Sequence, residues 1–154
     1  MSALRCDTLV DPENIGSTIE RATEDYLKIK RFLLGQSKVT TKNCEKFIDD
    51  CVRRQGRPKI LIIGSGVRGA GTSELWGDKR LFRLGVDVYP TDTVDVICDA
   101  HYLPFPDGSF DGVWIQAVLE HVVEPQKVVK EIHRVLTHDG IVYAETPFMQ
   151  HVHD

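Results

Sequence analysis

Along the first third of the chain, apolar residues recur at three- and four-residue steps. Ile15, Ile19, Ala22, Tyr26, Ile29 and Leu33 share one face of a helix predicted over roughly residues 13–34. Asp11-Pro12-Glu13 supplies a helix start and Gly35 a stop. A second helix is predicted from Asn43 to Arg54, with Phe47, Ile48 and Cys51 on one side and Gly56 and Pro58 ending it. The basic positions Lys28, Lys30 and Arg31 read as a solvated face. From Lys59 the texture changes to short β-rich runs at Lys59–Ile63, Leu84–Val88, Val94–Cys98, Val113–Gln116 and Ile141–Ala144. A helical stretch, Pro125 to Leu136, places Val128, Val129, Ile132 and Val135 on its apolar face. Strands alternating with helices predict an α/β fold around a mainly parallel sheet, in which residues 1–57 form a helical segment packed on a core of residues 58–154. Such sheets take ligands at the carboxyl ends of their strands, at the point where strand order reverses.

Composition narrows the class. The chain has 154 residues, 42% apolar and 27% charged, which suits a soluble domain whose core needs no disulfide or metal staple. The longest aliphatic run, Ile60–Ile63, is far short of the roughly 18 residues of a membrane span. The opening residues lack the apolar stretch of a signal peptide, so a cytoplasmic location and no membrane partner are expected. Cys6, Cys44, Cys51 and Cys98 lack CxxC spacing and read as ordinary thiols. Residues 1–57 carry 11 Lys/Arg against 9 Asp/Glu, and residues 58–154 carry 8 against 14. The acidic body disfavours nucleic acid, which needs a basic face, and suits a small ligand, a cationic one included.

Three segments carry chemistry. In the first, the strand Ile60–Ile63 runs into Gly64-Ser65-Gly66-Val67-Arg68-Gly69-Ala70-Gly71, after which Thr72 or Ser73 can cap a helix. Glycines there let the backbone turn tightly and approach a ligand, but this pattern serves a dinucleotide, an adenosyl cofactor or nothing more than a tight turn. In the second, Asp87 ends the next strand, 23 residues after Gly64. A carboxylate there can accept both hydroxyls of an adenosine ribose, each such bond being worth roughly 1.5–3 kcal/mol. It serves NAD and S-adenosylmethionine equally well.

The third segment separates them. It runs Asp99-Ala100-His101-Tyr102-Leu103-Pro104-Phe105-Pro106-Asp107-Gly108-Ser109-Phe110-Asp111, followed by Leu119-Glu120-His121-Val122 and Arg134-Val135-Leu136. This succession resembles the class I S-adenosylmethionine-dependent methyltransferases with D-A-x-x-L-P-F-x-D-x-S-F-D, L-E-H-V and R-V-L segments, over about residues 59–148. The resemblance implies a Rossmann-like sheet of about five strands and transfer of a methyl group from S-adenosylmethionine to a small-molecule acceptor, leaving S-adenosylhomocysteine. It also implies roles. The backbone of Gly64, Ser65 and Gly66 would wrap the methionine part of the cofactor. Asp87 would hold the ribose, Val88 would lie beside the adenine, and Asp99 with the Ala100 amide would read the adenine edge. Gln116 would touch the methionine moiety, and Glu120 and His121 would face the acceptor. Where the acceptor is a hydroxyl or amine, His121 is the candidate base, against the plainer reading of a structural histidine. His101 reads as a loop hydrogen-bonder. His151, His153 and Asp154 are metal-ligand types on a chain end and do not make a site, so no metal is expected.

The chain departs from that pattern in three places. Ile62 stands where the family usually has an acid. The link from Asp87 to Val94 is too short for the usual crossover helix, so a short or irregular strand is expected at 94–98. The sequence stops at Asp154, where the family continues with a helix and two strands. The 141–146 strand is therefore expected as an exposed edge, covered by the N-terminal helices or a second copy in a homo-oligomer, or left by truncation after the fifth strand. Two alternatives stand beside the methyltransferase reading: a non-catalytic scaffold or regulatory module of the same fold, and, less favoured, an NAD(P)-dependent oxidoreductase, in which the Leu103-Pro104-Phe105 segment has no purpose.

Overall fold

The computed structural model describes residues 38–146. The described residues all belong to the unit Ser37–Asp154. The helix expected over 13–34 lies outside them, as do Cys6 and His151, His153 and Asp154.

The first described element, α1 (Lys38–Gln55), starts five residues before the expected Asn43. It buries Thr40, Cys44, Phe47, Ile48 and Cys51, a stripe at helical spacing. Gly56, at φ +71°, takes the left-handed position that ends it, and its N–H donates to the Val52 carbonyl at 2.8 Å. α1 packs into the sheet's core against Ile60, Ile62 and Trp114.

Five parallel strands follow: β1 (Lys59–Ile63), β2 (Phe82–Asp87), β3 (Val96–Ile97), β4 (Phe110–Gln116) and β5 (Leu136–Glu145), in spatial order β3-β2-β1-β4-β5. Two helices are interspersed, α2 (Ser73–Gly77) and α3 (Pro125–Val135). β1 is covered on both faces, so it reads as an unbroken apolar run, and its side chains alternate between two cores. Leu61 and Ile63 join Val86, Val113, Ile115 and the α3 residues Val128, Ile132 and Val135. Ile60 and Ile62 join Trp114, Leu75 and the α1 stripe. Ile62 is thus a buried core residue on the α1 side.

β4 starts at Phe110, three residues ahead of the run expected from Val113, and its ladder is irregular near that end. The register with β5 shifts between Phe110 and Gly112. Between the Phe110–Leu136 and Gly112–Ile141 pairs, two residues of β4 are spanned by five of β5, and Phe110 lies in the α3-side core although Gly112 and Trp114, of the same parity, face α1. Gly112 leaves room for α1: a Cβ there would lie 2.8 Å from Ile60 Cδ1, 2.9 Å from Phe47 Cζ and 3.0 Å from Cys51 Sγ.

β3 is as short as expected, and no helix lies between it and β2. The Asp95 side chain stands in for strand pairing: Oδ2 accepts the Gly85 N–H at 2.7 Å while the Asp95 N–H donates to the Gly85 carbonyl at 2.8 Å. β3 and β5 are the sheet edges among the described residues. Strand order reverses between β1 and β4, so the carboxyl ends of those two strands flank the crevice.

Candidate functional site

The glycine-rich turn leaves β1 at Gly64, which has φ +76°, and a Cβ there would lie 2.2 Å from Val118 Cγ2. The Gly64 and Ser65 N–H groups both donate to the Val86 carbonyl, at 2.9 and 3.1 Å, and lay the turn over β2. Gly66 then donates its N–H to Asp87 Oδ2 at 2.9 Å, and a Cβ on Gly66 would sit 2.7 Å from that oxygen. Asp87 Oδ1 accepts the Tyr89 N–H at 3.1 Å. The carboxylate is oriented by both bonds, and each oxygen keeps acceptor capacity. Thr72 occupies the N-cap position of α2, but its hydroxyl donates to the Gly69 carbonyl at 2.7 Å and makes no cap bond.

The end of β3 supplies a second carboxylate. Asp99 Oδ1 accepts the His101 N–H at 2.8 Å and faces His101 Nδ1 at 2.5 Å. The backbone N–H and then the ring of His101 hold the Asp99 carboxyl below its usual range. His101 Nε2 accepts the backbone N–H of Glu124 at 3.3 Å, so this histidine does bond loops together.

Beyond His101 the Leu103-Pro104-Phe105 segment is clamped to α3. Arg134 donates to the Leu103 carbonyl at 2.9 Å, the Phe105 carbonyl at 2.7 Å and Asp107 Oδ1 at 2.8 Å. Glu131 pairs with Arg134 and accepts the Leu103 N–H at 2.9 Å. The L-P-F and R-V-L segments are therefore two halves of one clamp, and it fixes the stretch of chain that carries Asp99.

These parts surround a cavity of about 860 Å³ at the carboxyl ends of the strands, within the span of small-molecule sites. Of the residues singled out in the sequence, Gly64, Gly66, Asp87, Val88, Asp99, Ala100 and Gln116 line it, together with Glu120 and His121. Ser65 does not: it is buried, its N–H is bound to Val86, and its carbonyl accepts the Thr93 hydroxyl at 2.5 Å. His121 is 57% exposed, with Nε2 3.9 Å from Glu120 Oε1. Cys98 also lines the wall, its thiol pushed up by burial.

Two lining features were not singled out in the sequence. Glu145 ends β5 beside Gln116, as Asp87 ends β2, and the same strand-end register would have found it. Its Oε1 accepts Gln116 Nε2 at 3.3 Å, and its Oε2 accepts the Thr40 hydroxyl at 2.9 Å and the Tyr143 hydroxyl. Ala117, directly after β4, has φ +53°, the one non-glycine left-handed residue among those described, and no sequence signal marks it.

The lining carboxylates are Asp87, Asp99, Glu120 and Glu145, and no Lys or Arg is among the lining residues described. Val67, 83% exposed, and Val123, 91% exposed, give the mouth an apolar rim. Among the described residues no three His, Cys, Asp or Glu side chains are placed to hold a metal, and no helix is long and apolar enough to cross a membrane.

A parallel sheet with a glycine turn and strand-end carboxylates at its switch point defines a Rossmann-like architecture. Residues 63–144, just over half the chain, match the family model described as a methyltransferase domain, and the chain belongs to that family. It is 28% identical over 144 residues to a demethylmenaquinone methyltransferase of Paenarthrobacter aurescens, covering 87% of this chain and 55% of that protein. It is 33% identical over 92 residues to the 27-O-demethylrifamycin SV methyltransferase of Amycolatopsis mediterranei, covering 55% of this chain and 32% of that protein. The chain thus spans about half the length, or less, of these curated relatives. Among solved structures it resembles the [4+2]-cyclase SpnF, with a TM-score of 0.51 and 25% identity over 64% of this chain and 43% of that one. It also resembles the PH0226 protein of Pyrococcus horikoshii, with a TM-score of 0.50 and 25% identity over 70% of this chain and 59% of that one.

Proposed function

We propose that residues 59–146 form the cofactor-binding core of an S-adenosylmethionine-dependent methyltransferase that acts on a small molecule. The observation that carries the reading is the pair of oriented carboxylates, Asp87 and Asp99, at neighbouring strand ends of one cavity. Two acceptors so placed suit the two donor groups of an adenosine, the ribose hydroxyls and the adenine amino group. The remaining wall chooses among adenosyl ligands. A dinucleotide brings a pyrophosphate, which needs cations or a substantial helix N-terminus. The lining offers four carboxylates without Lys or Arg, and α2 has only five residues. That environment suits a sulfonium cation and opposes a pyrophosphate.

When bound, S-adenosylmethionine supplies a methyl group on a sulfonium whose leaving group is already built in. The protein's share of the work is alignment, which in well-oriented pairs is worth roughly 7–11 kcal/mol. Gly64 and Gly66 bring the turn's backbone against the ligand, Asp87 holds the ribose, Val88 flanks the adenine, and Asp99 with Ala100 reads its edge. Gln116 sits at the methionine end. For a hydroxyl or amine acceptor, His121 takes up the proton that the acceptor loses. The names of the relatives support a small-molecule acceptor.

Calorimetric titration of the full chain tests the reading. S-adenosylhomocysteine and S-adenosylmethionine are expected to bind and NAD not to. Asp87→Ala should weaken S-adenosylhomocysteine by at least about ten-fold, the loss of hydrogen bonds to a charged group. NAD binding without either adenosyl compound would favour the oxidoreductase, and binding of none of the three would favour the non-catalytic scaffold.

A further inference from the structure

The loops after β3 and β4 leave the sheet on opposite sides of the β1–β2 pair, yet a single imidazole joins them. His101 is 13% exposed, and both its ring nitrogens are engaged, Nδ1 with Asp99 Oδ1 at 2.5 Å and Nε2 with the Glu124 N–H at 3.3 Å. We propose that His101 is a positioning residue that clasps the cavity, its Nδ1–H aiming the Asp99 carboxylate and its Nε2 holding the loop of residues 117–124 closed against the β3 side.

The donor and acceptor roles follow from the partners. A backbone N–H can only donate, so Nε2 must present a lone pair to Glu124. The ring is then neutral and carries its proton on Nδ1, the nitrogen that faces a carboxylate. An imidazolium would set an Nε2–H against the Glu124 N–H. Lys127, in the first turn of α3, is within electrostatic reach of both Asp99 and Glu124.

Each bond has a separate consequence. The His101 N–H and Nδ1–H both bind Asp99 Oδ1, and Asp99 Oδ2 has no hydrogen bond from the described residues, so the carboxylate is turned with that oxygen free for a donor in the cavity. The Glu124 bond acts on the other wall. Glu124 begins α3, its carbonyl accepting the Lys127 and Val128 N–H groups, and Val118, Glu120, His121, Val122 and Val123 of the loop before it line the cavity. The same ring therefore orients the acid at the adenine end and closes the segment that carries His121.

The test separates the two bonds by conservative rescue. His101→Asn keeps a donor at the Nδ1 position but does not reach Glu124. His101→Gln keeps an acceptor at the Nε2 position but not the donor to Asp99, and His101→Ala keeps neither. In the full chain, His101→Ala should weaken S-adenosylhomocysteine by about ten-fold or more, as expected for a carboxylate that loses its orienting bond, and speed Glu124 amide exchange by a similar factor. Affinity should return with His101→Asn alone and amide protection with His101→Gln alone. A residue that only fills space would let both readouts fall together in all three variants, and that outcome would overturn the proposal. The wild-type chain provides an independent reading by nitrogen-15 spectroscopy, with a proton on Nδ1 and a lone pair on Nε2 expected. An Nε2–H tautomer or an imidazolium would equally overturn it. The affinity readout rests on the adenosyl reading of the cavity. If wild-type protein binds no S-adenosylhomocysteine, that reading fails, and the tautomer and the Glu124 exchange rates still decide the clasp.

Discussion

Asp87 is held by a backbone N–H from the glycine turn, and that approach is possible only because residue 66 lacks a Cβ. Gly66→Ala would bring a methyl within 2.7 Å of Asp87 Oδ2 and push the acid from its place. S-adenosylhomocysteine affinity should drop by about ten-fold or more, while the melting temperature moves by only a few degrees, since the position sits outside both cores. Arg134 makes a different prediction because its guanidinium forks to two carbonyls and two carboxylates at once. Lysine offers one ammonium in place of the fork, so Arg134→Lys should destabilise by roughly 1–3 kcal/mol in denaturant unfolding. Its partner Glu131 sets a pH limb. Arg134, and then the Leu103 N–H, hold the Glu131 carboxyl below its usual range. A depressed folded value means that this stability is fully present above the ordinary glutamate range, near ~4.3, and is lost as pH falls through the lowered value. Glu131→Gln should therefore flatten the acid side of the stability profile.

At the scale of elements, the central strand and the helix α3 were legible because their patterns have one interpretation each. Lys59-Ile60-Leu61-Ile62-Ile63 is too short for a helix and too apolar for a surface, and its observed bounds match the expected ones. Asp87 was legible for a related reason, since an acid that terminates a strand after a glycine turn points at the crevice. What escaped depends on tertiary geometry. The pairing of Phe110 with Leu136 is set off from the rest of the β4–β5 ladder by a register shift before Gly112, and an irregularity in pairing leaves no mark in a hydropathy pattern. The first turns of α1, Lys38 to Lys42, are mostly exposed and polar, so periodicity sees the helix only from Asn43. Arg134 was visible as part of a motif, but three of its four partners, on Leu103, Phe105 and Asp107, come from a segment that meets α3 only in the folded chain. Gly112 gives the sharpest test at this scale. The space above it belongs to Phe47, Ile60 and Cys51, so Gly112→Ala overfills the α1-side core and should cost about 1–3 kcal/mol with the adenosyl site intact.

For the whole molecule, charge is distributed unequally with respect to the cavity. Its lining has carboxylates and no described Lys or Arg, so its field attracts cations and fades as salt shortens the screening length from roughly 30 Å at 0.01 M to about 8 Å at 0.15 M. S-adenosylmethionine, which carries the sulfonium charge, should lose affinity over that range more than S-adenosylhomocysteine, which lacks it; calorimetry at the two salt concentrations measures the difference. The strand order has a further, kinetic consequence. Ile60 pairs with Gly112, so one side of β1 stays unpaired until a segment some fifty residues later in the chain has docked. Long-range parallel pairing of this kind is slow, and an apolar strand waiting with an open side is a template for intermolecular contacts. Refolding yield from denaturant should accordingly fall as protein concentration rises, with Lys59–Ile63 the segment through which molecules first associate.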